Sequence, residues 1–187
     1  MRKIMLNGRW ELAEAGKDTL CAVQVPGSVL SGLYGAGKIE DPFYRTNEDA
    51  TRELFWKDYE FCRTFAVTED VLNEKKVILV CEGLDTLADI YINGKKAGST
   101  DNMHRTWKLD VKGFVFRSVF KYIEDYEYEE NKEIHYVPCG GMKGNQLIRK
   151  AHCMFGWDWG PQTIDAGIFR DIYLEAYSHP RIEDVKI

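Results

Sequence analysis

The chain has 187 residues, of which 44% are hydrophobic and 29% charged, enough apolar material for one large packed domain and too much for a disordered segment. Its formal charge is -5, and lysines occur at most in pairs, at Lys75-Lys76 and Lys95-Lys96, which excludes the basic surface that a nucleic-acid binder needs. No window reaches the length of a membrane span, and the start Met1-Arg2-Lys3-Ile4 lacks the apolar run of a signal peptide.

In chain order, Ala22-Val23-Gln24-Val25 reads as a strand ending at the turn signal Pro26-Gly27, and Ser28 to Leu33 as one or two helical turns. Tyr59 to Phe65 alternates apolar and polar residues, the pattern of a strand with one buried face. Glu69-Asp70-Val71-Leu72 reads as a short connecting turn. Val77 to Cys81 is a continuous apolar run, suited to burial on both faces. Ala88 to Ile92 alternates again and meets Asn93-Gly94, the dipeptide that best accommodates the left-handed turn of a hairpin, before Lys95 to Gly98 resumes. Thr106 to Val111 predicts a further strand, Tyr122 to Glu130 a short polar helix, and Ile168 to Ala176 one last long strand. The acidic cluster Glu124, Asp125, Glu127, Glu129 and Glu130 reads as a solvated face. Glycines from Gly32 to Gly37, and Gly140-Gly141, read as loops, since they do not sit between a strand and a helix as a phosphate cradle would. With many short strands, few helices and no βαβ alternation, the pattern predicts an all-β sandwich or jelly roll.

Five cysteines (Cys21, Cys62, Cys81, Cys139 and Cys153) form no CxxC pair, which predicts reduced, mostly buried thiols and a cytoplasmic location. His152-Cys153 lacks a spaced partner pair for zinc, and no cofactor or metal is expected. Asp85-Thr86, after Gly83, reads as a polar turn that satisfies its own backbone. Aromatic residues make up 13% of the chain, which suits either a β-rich core or a surface that stacks on sugar rings.

An ordered set of words runs through the chain: Asn7-Gly8-Arg9-Trp10, Val25-Pro26-Gly27-Ser28-Val29, Asp41-Pro42-Phe43-Tyr44-Arg45, Cys81-Glu82-Gly83-Leu84-Asp85-Thr86, Asn102-Met103-His104-Arg105, and Arg149 to Pro161 with Trp157-Asp158-Trp159-Gly160-Pro161 at its end. The set closes with Gly167-Ile168-Phe169-Arg170-Asp171. It resembles the N-terminal domain of the β-mannosidases of glycoside hydrolase family 2, over nearly the whole chain. The resemblance implies a jelly-roll, galactose-binding-like β-sandwich with a few short helices over residues 1–178. Residues 179–187 would then be a linker and first strand toward an immunoglobulin-like domain, with a (β/α)8 barrel beyond it. Such a barrel alone takes about 250 residues. The resemblance therefore implies that this chain is a non-catalytic part of an enzyme acting on β-mannosides or manno-oligosaccharides, with the two other domains as its partners. One departure stands out: Gly113 passes at once to Phe114-Val115-Phe116-Arg117-Ser118 where the family has a longer stretch, which predicts a disturbed sheet register or an uncovered edge. Phe169 stands where the family often has Trp.

Retaining glycosidases need two carboxyl groups about 5 Å apart. Glu40-Asp41 and Glu82 with Asp85 give no independent reason to lie in a cleft, so no catalytic residue is assigned. Asp158 differs, because the two rings beside it can stack on a sugar face while its carboxylate accepts from two hydroxyls. The resemblance implies that Asp158, supported by Trp157 or Trp159, binds the sugar at a pocket rim; the planar donor fork of Arg149 suits either a hold on that carboxylate or a sugar hydroxyl, or a structural hydrogen bond or ion pair. The alternative is that both rings anchor the core and Asp158 caps a turn. Two further functions stay open: a free-standing carbohydrate-binding module, and a domain that only buttresses the barrel. The loops Asp41 to Glu48 and Asn102 to Arg105 are expected to lie against a neighbouring domain.

Overall fold

The computed structural model describes residues 2–110, 113–116 and 144–180, the third of these segments holding the words that close the sequence set. Its elements, in order, are β1 (Arg2–Met5), β2 (Gly8–Glu14), β3 (Thr19–Val25), β4 (Gly27–Ser28), α1 (Val29–Gly35), α2 (Asn47–Arg52), β5 (Tyr59–Cys62), α3 (Glu69–Leu72), β6 (Lys76–Cys81), β7 (Leu84–Asp85) and β8 (Ala88–Ile92). Then follow β9 (Lys95–Thr100), β10 (Trp107–Asp110), β11 (Gly113–Phe116), β12 (Phe155–Trp157), β13 (Gly160–Gln162), β14 (Gly167–Ile168) and β15 (Ile172–Tyr177). A four-stranded sheet in the order β1-β15-β6-β10 and a six-stranded sheet in the order β3-β2-β5-β11-β8-β9 form the two layers. Two small sheets, β4-β14-β7 and the hairpin β12-β13, complete the described fold.

Period-two alternation sends one face of each outer strand inward. Trp10 and Leu12 of β2, Val23 and Val25 of β3, and Ala88 and Ile90 of β8 are buried, while Arg9, Glu11 and Gln24 between them are exposed. From the other layer Leu79 and Cys81 of β6, and Ile172 and Leu174 of β15, meet them in one continuous core. Each such side chain removed from water stabilises the fold by about 1.5–3 kcal/mol. Central β15 is buried from Ile172 to Ala176, both faces included.

The β8–β9 hairpin turns on Asn93 and Gly94, at φ 50° and 76°, the left-handed geometry expected of that dipeptide. Helix α1 begins where Ser28 caps it: its side chain accepts from the Ser31 amide, and the Ser31 hydroxyl answers the Ser28 amide. Gly32, expected in a loop, lies inside this helix. A Cβ there would come within 2.8 Å of Val23 Cγ2, so glycine is what lets α1 press onto β3.

Three other expectations need correction, and two strands were not foreseen. The long strand over Ile168 to Ala176 is two strands in two sheets. Ile168 pairs with Leu84 and Gly27, Ile172 pairs with Cys81, and the chain crosses between layers at Phe169–Asp171. Local alternation cannot report that break, because both halves are apolar. Strands β1 and β2 arise from a start that lacks an apolar run; backbone pairing and Trp10 hold it, the indole donating to Leu6 O at 2.8 Å. The departure after Gly113 leaves no gap, since β11 pairs with β8 on one side and β5 on the other. Of the four described cysteines only Cys81 is buried; Cys62 and Cys153 are exposed. The predicted polar helix at Tyr122 to Glu130, the acidic cluster within it, Cys139, Gly140-Gly141, Arg117-Ser118 and the linker from Arg181 onward lie outside the described residues.

Candidate functional site

The segment from Lys150 to Asp165 lies between the isolated bridge at Arg149 and the start of β14. Between them, β12 and β13 form a hairpin in which Trp157 pairs with Gly160, leaving Asp158 and Trp159 at its turn. The hairpin owes its bend partly to Gly156, whose φ of 82° disfavours any side chain and whose added Cβ would lie 2.3 Å from Gln162 Cγ. Phe155 and Ile164 anchor its base in a second apolar cluster with Leu30, Phe55, Leu87 and Ile148. The turn itself stands in solvent: Trp157 is 41% and Trp159 79% exposed, and Asp158 is exposed between them. Both rings are therefore free faces and not core anchors.

A groove of about 470 Å³ lies beside this turn. Trp157, Asp158, Trp159, Gly160 and Pro161 make one wall; Pro42, Phe43, Arg45 and Glu48 make the other. The second wall is braced from within. Asp41 Oδ1 accepts from the Phe43 amide at 2.9 Å, and Asn47 Nδ2 donates to Asp41 O at 2.8 Å. Arg45 sits at φ 55°, an uncommon backbone for a side chain of its size, with its guanidinium 5.0 Å from the Tyr44 ring. Phe43 is 69% exposed. Aromatic faces, a cation and carboxylates around a wet cleft suit a neutral polyhydroxylated ligand: rings cover its C–H faces, and charged groups bond its hydroxyls. Glu48 pairs with Arg52 on the same helix, with Arg52 Nη2 to Glu48 Oε1 at 2.9 Å.

Arg149 is exposed and does not line the groove. Its carbonyl accepts from the Met103 amide at 3.0 Å, in a short parallel bridge between Asn102 and Arg149. Within the loop Asn102 to Arg105, Asn102 Oδ1 accepts from the His104 amide at 2.9 Å, Trp107 Nε1 donates to Asn102 O at 3.0 Å, and Arg105 lies 4.3 Å over Trp107. His152 meets Phe155 edge-on, with ring centroids 6.5 Å apart.

The two ends of the same segment meet in a buried ionic knot that pattern reading did not find. The Lys150 side chain is 0% exposed, and its Nζ donates to Asp85 Oδ2 at 2.5 Å and to Asp165 O at 2.6 Å. Asp85 is thus no self-satisfied surface turn; it is 5% exposed, bonded also by the Thr86 hydroxyl, and serves as the partner of a buried ammonium. The Asp165 carboxylate accepts from the amides of Leu30 at 3.1 Å and Ala166 at 2.8 Å. Burial pushes the Asp165 carboxyl up, against the pull of its hydrogen bonds from Ser28, Leu30 and Ala166 and of the Lys150 charge. Burial likewise pulls Lys150 down, opposed mainly by Asp85. The only sequence cue to this knot was the position of Asp85 and Lys150 inside quoted words; nothing in either word marks the lysine as buried.

The family described as glycosyl hydrolase 2 galactose-binding domain-like matches residues 10–170 of this two-layer all-β sandwich. The chain belongs to that family. Within it, the chain is similar to the β-mannosidase of Mus musculus, at 32% identity over 92% of this chain and 21% of that protein. A probable β-mannosidase of Caenorhabditis elegans is 29% identical over 93% of this chain and 21% of the relative. The crystal structure of a β-D-mannosidase from Dictyoglomus thermophilum superposes with a TM-score of 0.90 at 31% identity, covering 98% of this chain and 24% of that one. An exo-chitosanase from Amycolatopsis orientalis, at 17% identity and a TM-score of 0.60 over 95% of this chain and 21% of that one, shares the fold. The chain spans about a fifth of the length of the β-mannosidases it matches, 21% for the mouse protein.

Proposed function

We propose that this chain is the N-terminal, non-catalytic jelly-roll domain of a β-mannosidase, and that it lends the turn Trp157-Asp158-Trp159 to a sugar pocket whose reacting carboxylates lie elsewhere in the polypeptide. The observation that supports this reading most is the exposure of both rings around an exposed carboxylate at the tip of a braced hairpin, beside a groove. Terminal β-mannose of mannosides or manno-oligosaccharides is the ligand, and the immunoglobulin-like and barrel domains are the partners of the proposal. Residues 1–178 form the domain and 179–187 lead toward the next one. The unpaired cysteines fit the cytoplasmic setting expected from the sequence. Asp158 bonds sugar hydroxyls and Trp157 or Trp159 stacks on the ring. Arg149 is exposed and is not among the residues that line the groove, so Asp158 and the two rings come first in that set.

A carboxylate that accepts hydrogen bonds from substrate is worth about 1.5–3 kcal/mol. Asp158→Ala in the full-length enzyme should therefore lower kcat/KM on an aryl β-mannoside by roughly 10- to 100-fold. An unchanged kcat/KM would remove Asp158 from the site.

A further inference from the structure

The excursion from Lys150 to Asp165 has a narrow neck. Lys150 Nζ bonds Asp165 O at 2.6 Å, so the two ends of the excursion are fastened directly to each other. The same ammonium bonds Asp85 Oδ2 at 2.5 Å, which ties the neck to the small sheet through β7. Asp165 in turn holds the first turn of α1 through the Leu30 amide and its own chain through the Ala166 amide. One lysine side chain therefore joins three segments: the start of the excursion, its end at Asp165, and β7 at Asp85.

Stability alone does not account for that lysine. A buried ion pair loses about as much in desolvation as it gains in attraction, and apolar residues of similar volume often serve as well or better. The hairpin above it is also short, with three residues in each strand, too few to hold a place by its own pairing. The apolar contacts of Phe155 and Ile164 hold its base down but are not directional. Hydrogen bonds from one ammonium to a carboxylate and a carbonyl are directional.

We propose that Lys150 is a positioning residue: it clamps the neck of the 150–165 excursion and so sets the height and angle at which Trp157, Asp158 and Trp159 face the groove. The clamp stands on geometry alone; its consequence for sugar binding rests on the function proposed above.

Two variants test it. Lys150→Met removes the donor, and the double variant Asp85→Asn with Lys150→Met removes it without leaving Asp85 as a buried carboxylate stripped of its ammonium; Asp165 keeps its backbone amide donors. Hydrogen exchange on the 187-residue chain is compared between Phe155–Gln162 and Ile172–Tyr177. The clamp predicts exchange faster by about tenfold or more in the hairpin, with the central strand unchanged. Equal acceleration in both segments, no acceleration in the hairpin, or failure of the double variant to fold would each overturn it, because each assigns Lys150 to general stability or to nothing. In the full-length enzyme, the double variant should raise KM for an aryl β-mannoside several-fold while kcat changes less. If Asp158→Ala alters the kinetics and the double variant leaves KM untouched, the clamp does not position the site. If Asp158→Ala itself alters nothing, the sugar reading fails, and hydrogen exchange still decides the clamp.

Discussion

The sandwich interior and the grooved end are built on different principles. In the interior, Leu12, Val25, Phe61, Leu79, Ile90 and Ile172 pack with almost no exposure, and their backbones are paired along the strands. The apolar packing there is not directional. At the grooved end, six buried apolar residues support the hairpin, and the fastening is a lysine, an aspartate and a carbonyl. Burial of oily surface makes a domain stable; it does not aim a side chain. Aiming takes directional polar contacts in a place water cannot compete, and that is where this molecule puts them.

The comparison breaks most readily in the interior. Phe61 is 1% exposed on β5, and Phe61→Ala should cost about 3–5 kcal/mol of unfolding free energy in a urea titration. A loss below about 1 kcal/mol would mean that the core does not hold the domain in this way.

An alkaline titration probes the same interior more gently. Tyr59 is pushed up from 10.0 to about 12, by burial first and then by the charges of Glu14 and Asp165. A phenol whose folded value lies above its unfolded one favours the folded state fully at pH below the unfolded value, and that contribution disappears as pH rises through the folded value. Stability should therefore decline between pH 10.0 and about 12, while phenolate absorbance from Tyr59 develops late in that range. Early ionisation of every tyrosine in the folded chain would contradict this burial.

The smallest effect on stability is expected at the groove. Trp159 is 79% exposed, and Trp159→Ala should shift unfolding free energy by no more than about 0.5 kcal/mol. If a thermal melt instead shows a loss of about 2 kcal/mol or more, the ring is part of the packing and the contrast between the two regions is weaker than drawn.

Much of the sandwich was legible because its rules are local. Alternation placed β5, β8 and β10 within a few residues, Asn93-Gly94 placed a hairpin, and Ser28 placed a helix start. The ordered words carried the family, and Trp157-Asp158-Trp159 marked the turn that faces the groove. The facing wall at Pro42, Phe43, Arg45 and Glu48 was foreseen only as an ordered loop against a neighbour.

What the amino acids determined by themselves was a two-layer β fold with an aromatic–acidic turn near its end, since strand period, turn chemistry and motif order are properties of adjacent residues. Tertiary structure alone decided that Ile168 and Ile172 belong to different sheets, that Arg149 is not part of the groove lining, and that Lys150 lies buried against Asp85, 65 positions earlier. A charge tolerates burial only where distant segments bring it a partner, and no pattern of neighbouring residues records which segments will meet.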